Sequence, residues 1–280
     1  MHTSHPAFRA PPDLDGKIWQ YMELAEFVSM LNRKALFFVK ANKLRDPYEG
    51  IIPQLNTIIR PGADREDQEQ KQNFQSRYNI NHVNQGMAKT MAEQFHTYRQ
   101  LVLINPWHYN EYESAAMWNL YSHENAGIAI QSTTTRLSQC FNDNNEDTIW
   151  IGKVQYLDFS KDWINECNDL FQAFVTKRKS FEYENEIRAI TCLPDDNFNR
   201  ELLANSSTEG SDVFSSQKRT VNPKELTDKG KYVRANLQVL VEKVYVAPYA
   251  ESWFEEVVQS LLSKYDLNAV VTKSDLYTIS

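Results

Sequence analysis

The sequence predicts an α+β fold built on a single twisted sheet, mixed or largely antiparallel, flanked by helices. Three observations predict it. Apolar runs of strand length and stretches of helical periodicity alternate irregularly, which argues against a doubly wound parallel fold. The second half is richer in strand-like runs than the first. An apolar fraction of 41% and an aromatic fraction of 12% supply a packed core over most of the 280 residues, a length that mixed folds reach as one unit. The expected organisation is a flexible leader over 1–16 and one domain over 17–280, with polar excursions at about 60–80 and 194–230.

The elements follow in order. Pro6, Pro11, Pro12 and Gly16 mark the loose leader. Residues 18–22 read as a short strand, after which Leu24, Phe27, Val28 and Leu31 recur at helical spacing. Residues 35–40 form a second apolar run, ended by the turn-rich stretch 44–50. Between Arg60 and Arg77 charged and amide side chains dominate, predicting a solvated helix or an excursion. Met87, Met91 and Phe95 resume a helical face that leads into the strand 101–104, followed by a helix over 113–121 and a strand over 127–131. A strand is expected over 151–159. Trp163, Ile164, Cys167, Leu170, Phe171, Phe174 and Val175 give the clearest amphipathic helix, with Lys177, Arg178 and Lys179 at its C-terminus, where cations suit the helix dipole. A strand over 189–193 comes next. The polar stretch 194–230 reads as a long surface loop, and strands near 233–240 and 244–247, a helix over 250–264 and a terminal strand near Val270 complete the chain.

Composition narrows the function classes. A net charge of −7 and a pI near 5.5 give no global attraction to nucleic acid or to an anionic membrane. Cys140, Cys167 and Cys192 are odd in number and widely spaced, which fits a reducing compartment. No signal-peptide pattern opens the sequence, and there is no run of about 18 apolar residues to span a bilayer, so the expected location is the cytoplasm. Phosphate-loop, dinucleotide-glycine, zinc-cysteine and nucleophile-elbow signatures do not occur.

Three segments collect the residues that could carry chemistry. On the first strand, alternation puts Trp19 and Tyr21 on one face and Gln20 on the other; the rings serve either as strand core or as a surface that stacks a base or a nicotinamide. In the second segment a helix starting near Glu111 would align Ser114, Trp118 and Tyr121, a hydroxyl and two rings, on one face, where such rings are equally at home as packing. His108 and Glu111 make H-x-x-E, but with no third ligand no metal site is expected. The third segment is Glu182, Glu184, Glu186 and Arg188, which an extended chain would set on one side; neighbouring carboxylates raise one another's pKa values and the arginine offsets them, unless the run lies on a solvated edge. Residues 46–50, Asp-Pro-Tyr-Glu-Gly, read as a turn, with Pro47 fixing φ and Gly50 accepting a positive φ.

Taken together, the opening W-x-Y, L-x-D-P-Y-E-G, W-H-x-N-E-x-E-S-x-x-M-W-x-x-Y, the glycine-led strand from Gly127, F-x-Y-E-x-E-x-R and V-Y-V-A-P resemble the bacterial domain-of-unknown-function family 2971 (DUF2971), from Trp19 to Ser274. More distantly, the layout is similar to that of ADP-ribosyltransferase-type folds, in which an early strand, a mid-chain aromatic or Ser element and a strand-leading Glu form one NAD cleft. That likeness implies Tyr21 in the first position, Ser114 and Tyr121 in the second and Glu184 or Glu186 in the third. Trp19, His108, Trp118 and Arg188 would join Tyr21 in binding. Gln20 stands where such folds often place Arg or His. The implied function is an enzyme that uses NAD as substrate, for ADP-ribosyl transfer or NAD hydrolysis, as a toxin or anti-phage effector with Glu186 as its main acid. No bound cofactor is firmly implied. Two other readings are a module that binds a nucleotide or protein partner without turnover, and a nucleic-acid-acting effector relying on Lys177, Arg178, Lys179 and Arg188.

Overall fold

The first strand, β1 (Lys17–Glu23), is buried on both faces, which sets it inside a sheet. The computed structural model describes residues 5, 7–51, 95–121, 126–142, 147–160, 162, 170–194 and 222–278. The excursion at 60–80, Met87, Met91, Trp163, Ile164, Cys167 and residues 195–221 of the expected loop lie outside the described residues. Helix α1 (Leu24–Arg33) follows β1 directly; its entry is fixed by the Glu23 amide, which donates to the Glu26 carboxylate at 3.1 Å, and Phe27, Met30 and Leu31 turn inward. The apolar run 35–40 is β2 (Ala35–Lys40). Then come β3 (Val102–Tyr109), α2 (Ala115–Tyr121), β4 (Gly127–Thr133), α3 (Thr134–Gln139), β5 (Trp150–Lys153), β6 (Gln155–Leu157), β7 (Thr176–Arg178) and β8 (Glu186–Cys192). After them β9 (Gly230–Arg234), α4 (Leu237–Leu240), β10 (Lys243–Val246), α5 (Ser252–Lys264) and β11 (Val270–Lys273) complete the described elements.

Nine of these strands make one sheet in the order β11-β10-β4-β1-β3-β2-β9, with β8 added to β3 and β5 added to β8. Every pairing in it is antiparallel except β10 with β11. The expected α+β class, a mostly antiparallel sheet with helices against it, is what the chain forms. β6 and β7 pair separately and in parallel.

The sheet divides at β3, and that division positions the site. One edge of β3 runs the length of β8, from Val102 opposite Cys192 to His108 opposite Glu186. Its other edge is shared: Ile104 and Leu103 pair with β2, whereas His108 and Tyr109 pair with β1. His108 therefore lies between Trp19 and Glu186, and residues opposite one another in antiparallel strands share a face. On the other face Trp107, Ile187 and Ala189 enter the main core, while Ile104, Ile190, Trp150, Phe171 and Phe174 form a second apolar cluster next to the site.

Several expectations are corrected. The leader is anchored at one point: the Phe8 ring lies 5.3 Å from that of Phe171 and the Lys153 amide donates to the Arg9 carbonyl at 2.9 Å, while residues 12–15 stay exposed. The strand 151–159 is two strands. The end of the expected amphipathic helix is a 3-10 turn (Leu170–Phe174) followed by β7, because Thr176–Arg178 find a partner strand in β6. The strand expected over 233–240 ends at Arg234, and Asn236 then caps a short helix, accepting from the Val239 amide at 3.3 Å.

Candidate active site

The three segments meet where β3 divides the sheet. Trp19 and Tyr21 point to the same face as His108 and Glu186, and the His108 and Tyr21 rings are 6.4 Å apart. Helix α2 packs over this face with the Trp118 ring edge-on to Tyr21 at 5.0 Å. The Ser114 amide donates to the Tyr21 hydroxyl at 2.9 Å, which fixes where the helix begins. A Tyr21→Phe variant leaves that amide unpaired and is expected to lose about 1–3 kcal/mol of stability, read from its denaturation midpoint; an unmoved midpoint would make the contact incidental.

The carboxylates arrive by a different route from the one alternation predicts. Lys179–Glu184 is a 3-10 turn, and the chain reverses at Asn185, whose φ of 38° is left-handed and whose side chain caps the Tyr109 carbonyl. Glu182 is thereby left on the surface, and only Glu186 and Arg188 share a strand face. Glu184 rejoins Glu186 through Lys177, which reaches from β7 to bond Glu184 and, at 2.8 Å, Glu186. Arg188, 1% exposed, donates through Nε to Glu186 at 2.6 Å and through both terminal nitrogens to Glu49 at 2.8 and 2.7 Å, with a further bond to the Phe174 carbonyl at 2.7 Å. Lys177 also lies 3.2 Å from Glu49.

This buried network splits the two glutamates. Burial pushes the Glu184 carboxyl up, its neighbour Glu186 pushes it further, and Lys177, which it shares with two other carboxylates, offsets only part; its pKa rises from 4.5 to about 8. Burial would also raise Glu186, but Arg188 and Lys177 overcome it and hold that carboxyl well below the usual range. Burial lowers His108, against the opposing pull of the Glu184 carbonyl and Glu186. Its Nδ1 lies 2.6 Å from the Glu184 carbonyl, which can only accept, so Nδ1 carries the proton and Nε2 is an acceptor with no partner among the described residues. Tyr121, which has Arg45 5.4 Å from its ring, is pushed up to about 12 by burial and then by Glu184 and Glu186.

Tyr21, His108, Trp118, Tyr121, Glu184 and Glu186 are thus gathered. Three other expected site residues are committed elsewhere. Trp19 is buried with its indole N–H on the Asn110 carbonyl at 2.8 Å, Arg188 has its donors occupied by carboxylates and a carbonyl, and the Ser114 hydroxyl accepts from the Met117 amide at 3.4 Å as a cap for α2. His108 and Glu111 do not converge: Glu111 pairs with Lys17 at 3.1 Å, and no group of three or more metal-ligating side chains occurs among the described residues. The basic cluster required for the nucleic-acid reading is not a surface, since Lys177 and Arg188 are buried among carboxylates and Arg178 pairs with Asp46 at 2.6 Å.

Sequence reasoning missed Glu49, and it set Lys177 in a basic cluster rather than among the carboxylates. Residues 46–50 do form the expected turn, with Gly50 at φ 68°, where a Cβ would strike the Phe174 ring. Turn chemistry explains Pro47 and Gly50 and leaves Glu49 unexplained; that surplus carboxylate was the available signal.

The DUF2971 family model, described as a protein of unknown function, matches residues 117–189, so the resemblance read from the motifs is borne out over that segment. It spans α2 through the start of β8. No curated protein matches the chain. Among solved structures, DarT of Thermus sp. 2.9 in complex with carba-NAD+ aligns over 94% of this chain and 97% of its own, with 8% identity and a TM-score of 0.34. No helix among the described residues is long and apolar enough to cross a membrane.

Proposed function

We propose that the chain is an NAD-using enzyme that transfers ADP-ribose to an acceptor or to water, acting as a cytoplasmic toxin or anti-phage effector. One observation carries the reading: Glu184 and Glu186, joined through Lys177, meet at the sheet face that holds Tyr21 and His108 and that α2 covers with Trp118 and Tyr121, and their surroundings push the two carboxyls in opposite directions. Paired carboxyls whose environments drive their pKa values apart are how one site supplies an acid and a base. The layout of early strand, aromatic element and strand-leading Glu is the one whose similarity to ADP-ribosyltransferase-type folds implies NAD.

In the reaction the bond between the ribose carbon and the nicotinamide nitrogen breaks. Its electron pair passes to the pyridinium nitrogen, so nicotinamide leaves neutral and positive charge develops on the ribose. Glu186, ionised, stabilises that charge. Tyr21 and Trp118 hold the leaving ring, and the His108 Nε2 lone pair accepts from a hydroxyl or amide N–H. The incoming acceptor then loses its proton to ionised Glu184, whose pKa near 8 suits a general base near neutral pH. Glu186, expected from the sequence to be the main acid, is here the standing anion, and Glu184 is the carboxyl that, once ionised, takes up the proton.

The test is incubation of purified protein with NAD and cell extract, following nicotinamide release and label transfer beside a Glu186→Gln variant. Release should fall by roughly 10²–10³-fold in the variant while its melting transition persists. Full release from a folded variant would sink the assignment. A non-catalytic nucleotide- or protein-binding module is favoured by one feature, the engagement of both Glu186 oxygens by Lys177 and Arg188. Saturable NAD binding without nicotinamide release would establish it.

A further inference from the structure

Glu49 belongs to the turn after β2, yet it is 2% exposed and its carboxylate occupies both terminal nitrogens of Arg188 while lying 3.2 Å from Lys177. We propose that Glu49 is a positioning residue that sets which carboxyl of the Glu184 and Glu186 pair holds the proton, acting through Arg188 and Lys177. This rests on the reading of that pair as the acid–base element, and it adds the device that controls it.

The geometry divides the cations unequally. Arg188 presents a fork of two terminal nitrogens and one Nε; Glu49 takes the fork and Glu186 keeps the Nε at 2.6 Å. Lys177 is divided among Glu49, Glu184 and Glu186. Three carboxylates therefore share two directly bonded cations in a buried volume. Half-buried Arg99, which donates to the Pro47 carbonyl at 2.8 Å, attracts Glu49 and Asp46 from farther off but makes no ion pair with the three among the described residues. Full ionisation thus leaves more carboxylates than bonded cations, which is costly away from water. A single proton removes the excess. Glu186 contacts both cations, Glu49 takes the arginine fork, and Glu184 touches Lys177 alone, so Glu184 keeps the proton.

Other groups facing Glu184 do not carry an offsetting charge near neutrality. From α2 comes Tyr121, from β6 Tyr156, whose hydroxyl accepts from the Glu186 amide at 2.9 Å, and from β3 His108, whose Nδ1 donates to the Glu184 carbonyl. Burial keeps the two tyrosines protonated and His108 uncharged. Arg45 stands beyond the Tyr121 ring. Removing the charge of Glu49 leaves two carboxylates facing two cations, and the proton on Glu184 is no longer required.

The experiment is a carbon-13 titration of glutamate side-chain carboxyls in the full chain. The Glu184 signal is assigned by its disappearance in Glu184→Gln and is followed in Glu49→Gln, Glu49→Asp and Asp46→Asn. Its midpoint, near 8 in the parent protein, should fall by about one unit or more in Glu49→Gln. Glu49→Asp, one methylene shorter and drawn back from Lys177, should move it less and in the same direction, and it decides the matter if the glutamine variant does not fold. Asp46→Asn breaks the other ion pair of the same turn and should leave the midpoint in place. An unmoved midpoint in a folded Glu49 variant overturns the proposal, as does an equal fall in Asp46→Asn. The titration needs no turnover, so absence of NAD cleavage with a shifting midpoint sinks only the enzyme reading, and cleavage with an unmoved midpoint sinks only the role of Glu49.

Discussion

Replacing Arg188 by methionine is expected to cost about 3–5 kcal/mol of folding free energy, because it removes one partner of a buried ion network and leaves the others in place. Glu49 loses both of its arginine contacts and Glu186 loses the bond at 2.6 Å, so two buried carboxylates would have to share Lys177 with Glu184. Against the roughly 5–15 kcal/mol that holds a typical domain together, that is a large fraction. Chemical denaturation measures it directly. Arg188→Lys should recover only part, since an ammonium cannot reproduce the fork that meets Glu49. A loss of less than about 1 kcal/mol in the methionine variant would mean that water reaches the cluster and screens it, as it does for surface pairs.

The second large effect belongs to Glu184. As the base of the proposed reaction it should give nicotinamide release or label transfer a limb that rises with pH to a midpoint near 8, and Glu184→Gln should abolish the limb and lower turnover by roughly 10²–10⁴-fold. The same shift has a consequence for folding that needs no substrate. A carboxyl whose pKa rises from 4.5 in the unfolded chain to about 8 in the folded one is favoured in its protonated form by folding. Its contribution is complete below the unfolded value, declines as pH rises, and is lost once pH passes the folded value. The difference in stability between the parent and Glu184→Gln should therefore shrink from acid to alkaline pH. A difference that grows over that window would place the proton elsewhere in the network.

Much of the backbone plan follows from local pattern. The apolar cluster in Lys17–Glu23, the helical recurrence of Leu24, Phe27 and Leu31, the apolar run Ala35–Lys40 and the helix Ser252–Lys264 are each encoded by neighbours within one or two turns of chain. The turn at 46–50 was legible for the same reason, since Pro47 and Gly50 restrict φ whatever surrounds them. Side chains that meet through long-range pairing were legible only as types. Tyr21, His108, Trp118, Tyr121, Glu184 and Glu186 could be singled out as unusual, but their meeting depends on β1 and β8 both pairing with β3 at His108.

Where periodicity misled, a partner segment overrode it. The spacing predicts Lys177, Arg178 and Lys179 as the basic end of an amphipathic helix, yet β6 takes Thr176–Arg178 as a strand and turns Lys177 inward. Charges are the extreme case. By itself a Glu or Lys is best read as facing water, because burying an unpaired charge is prohibitive. Glu49 and Arg188 are separated by 139 residues, and Arg178 and Asp46 by 132, so no local window holds both halves of either pair. The sequence by itself determined the class of fold, most of the strands and helices, and the residue types from which a site could be made. Only the tertiary structure decided which charges are buried, which carboxylates share a cation and which aromatic residues come together beside them. Burial of a charge becomes tolerable only when its partner is brought within hydrogen-bonding distance, and the sheet accomplishes that over separations that no local pattern spans.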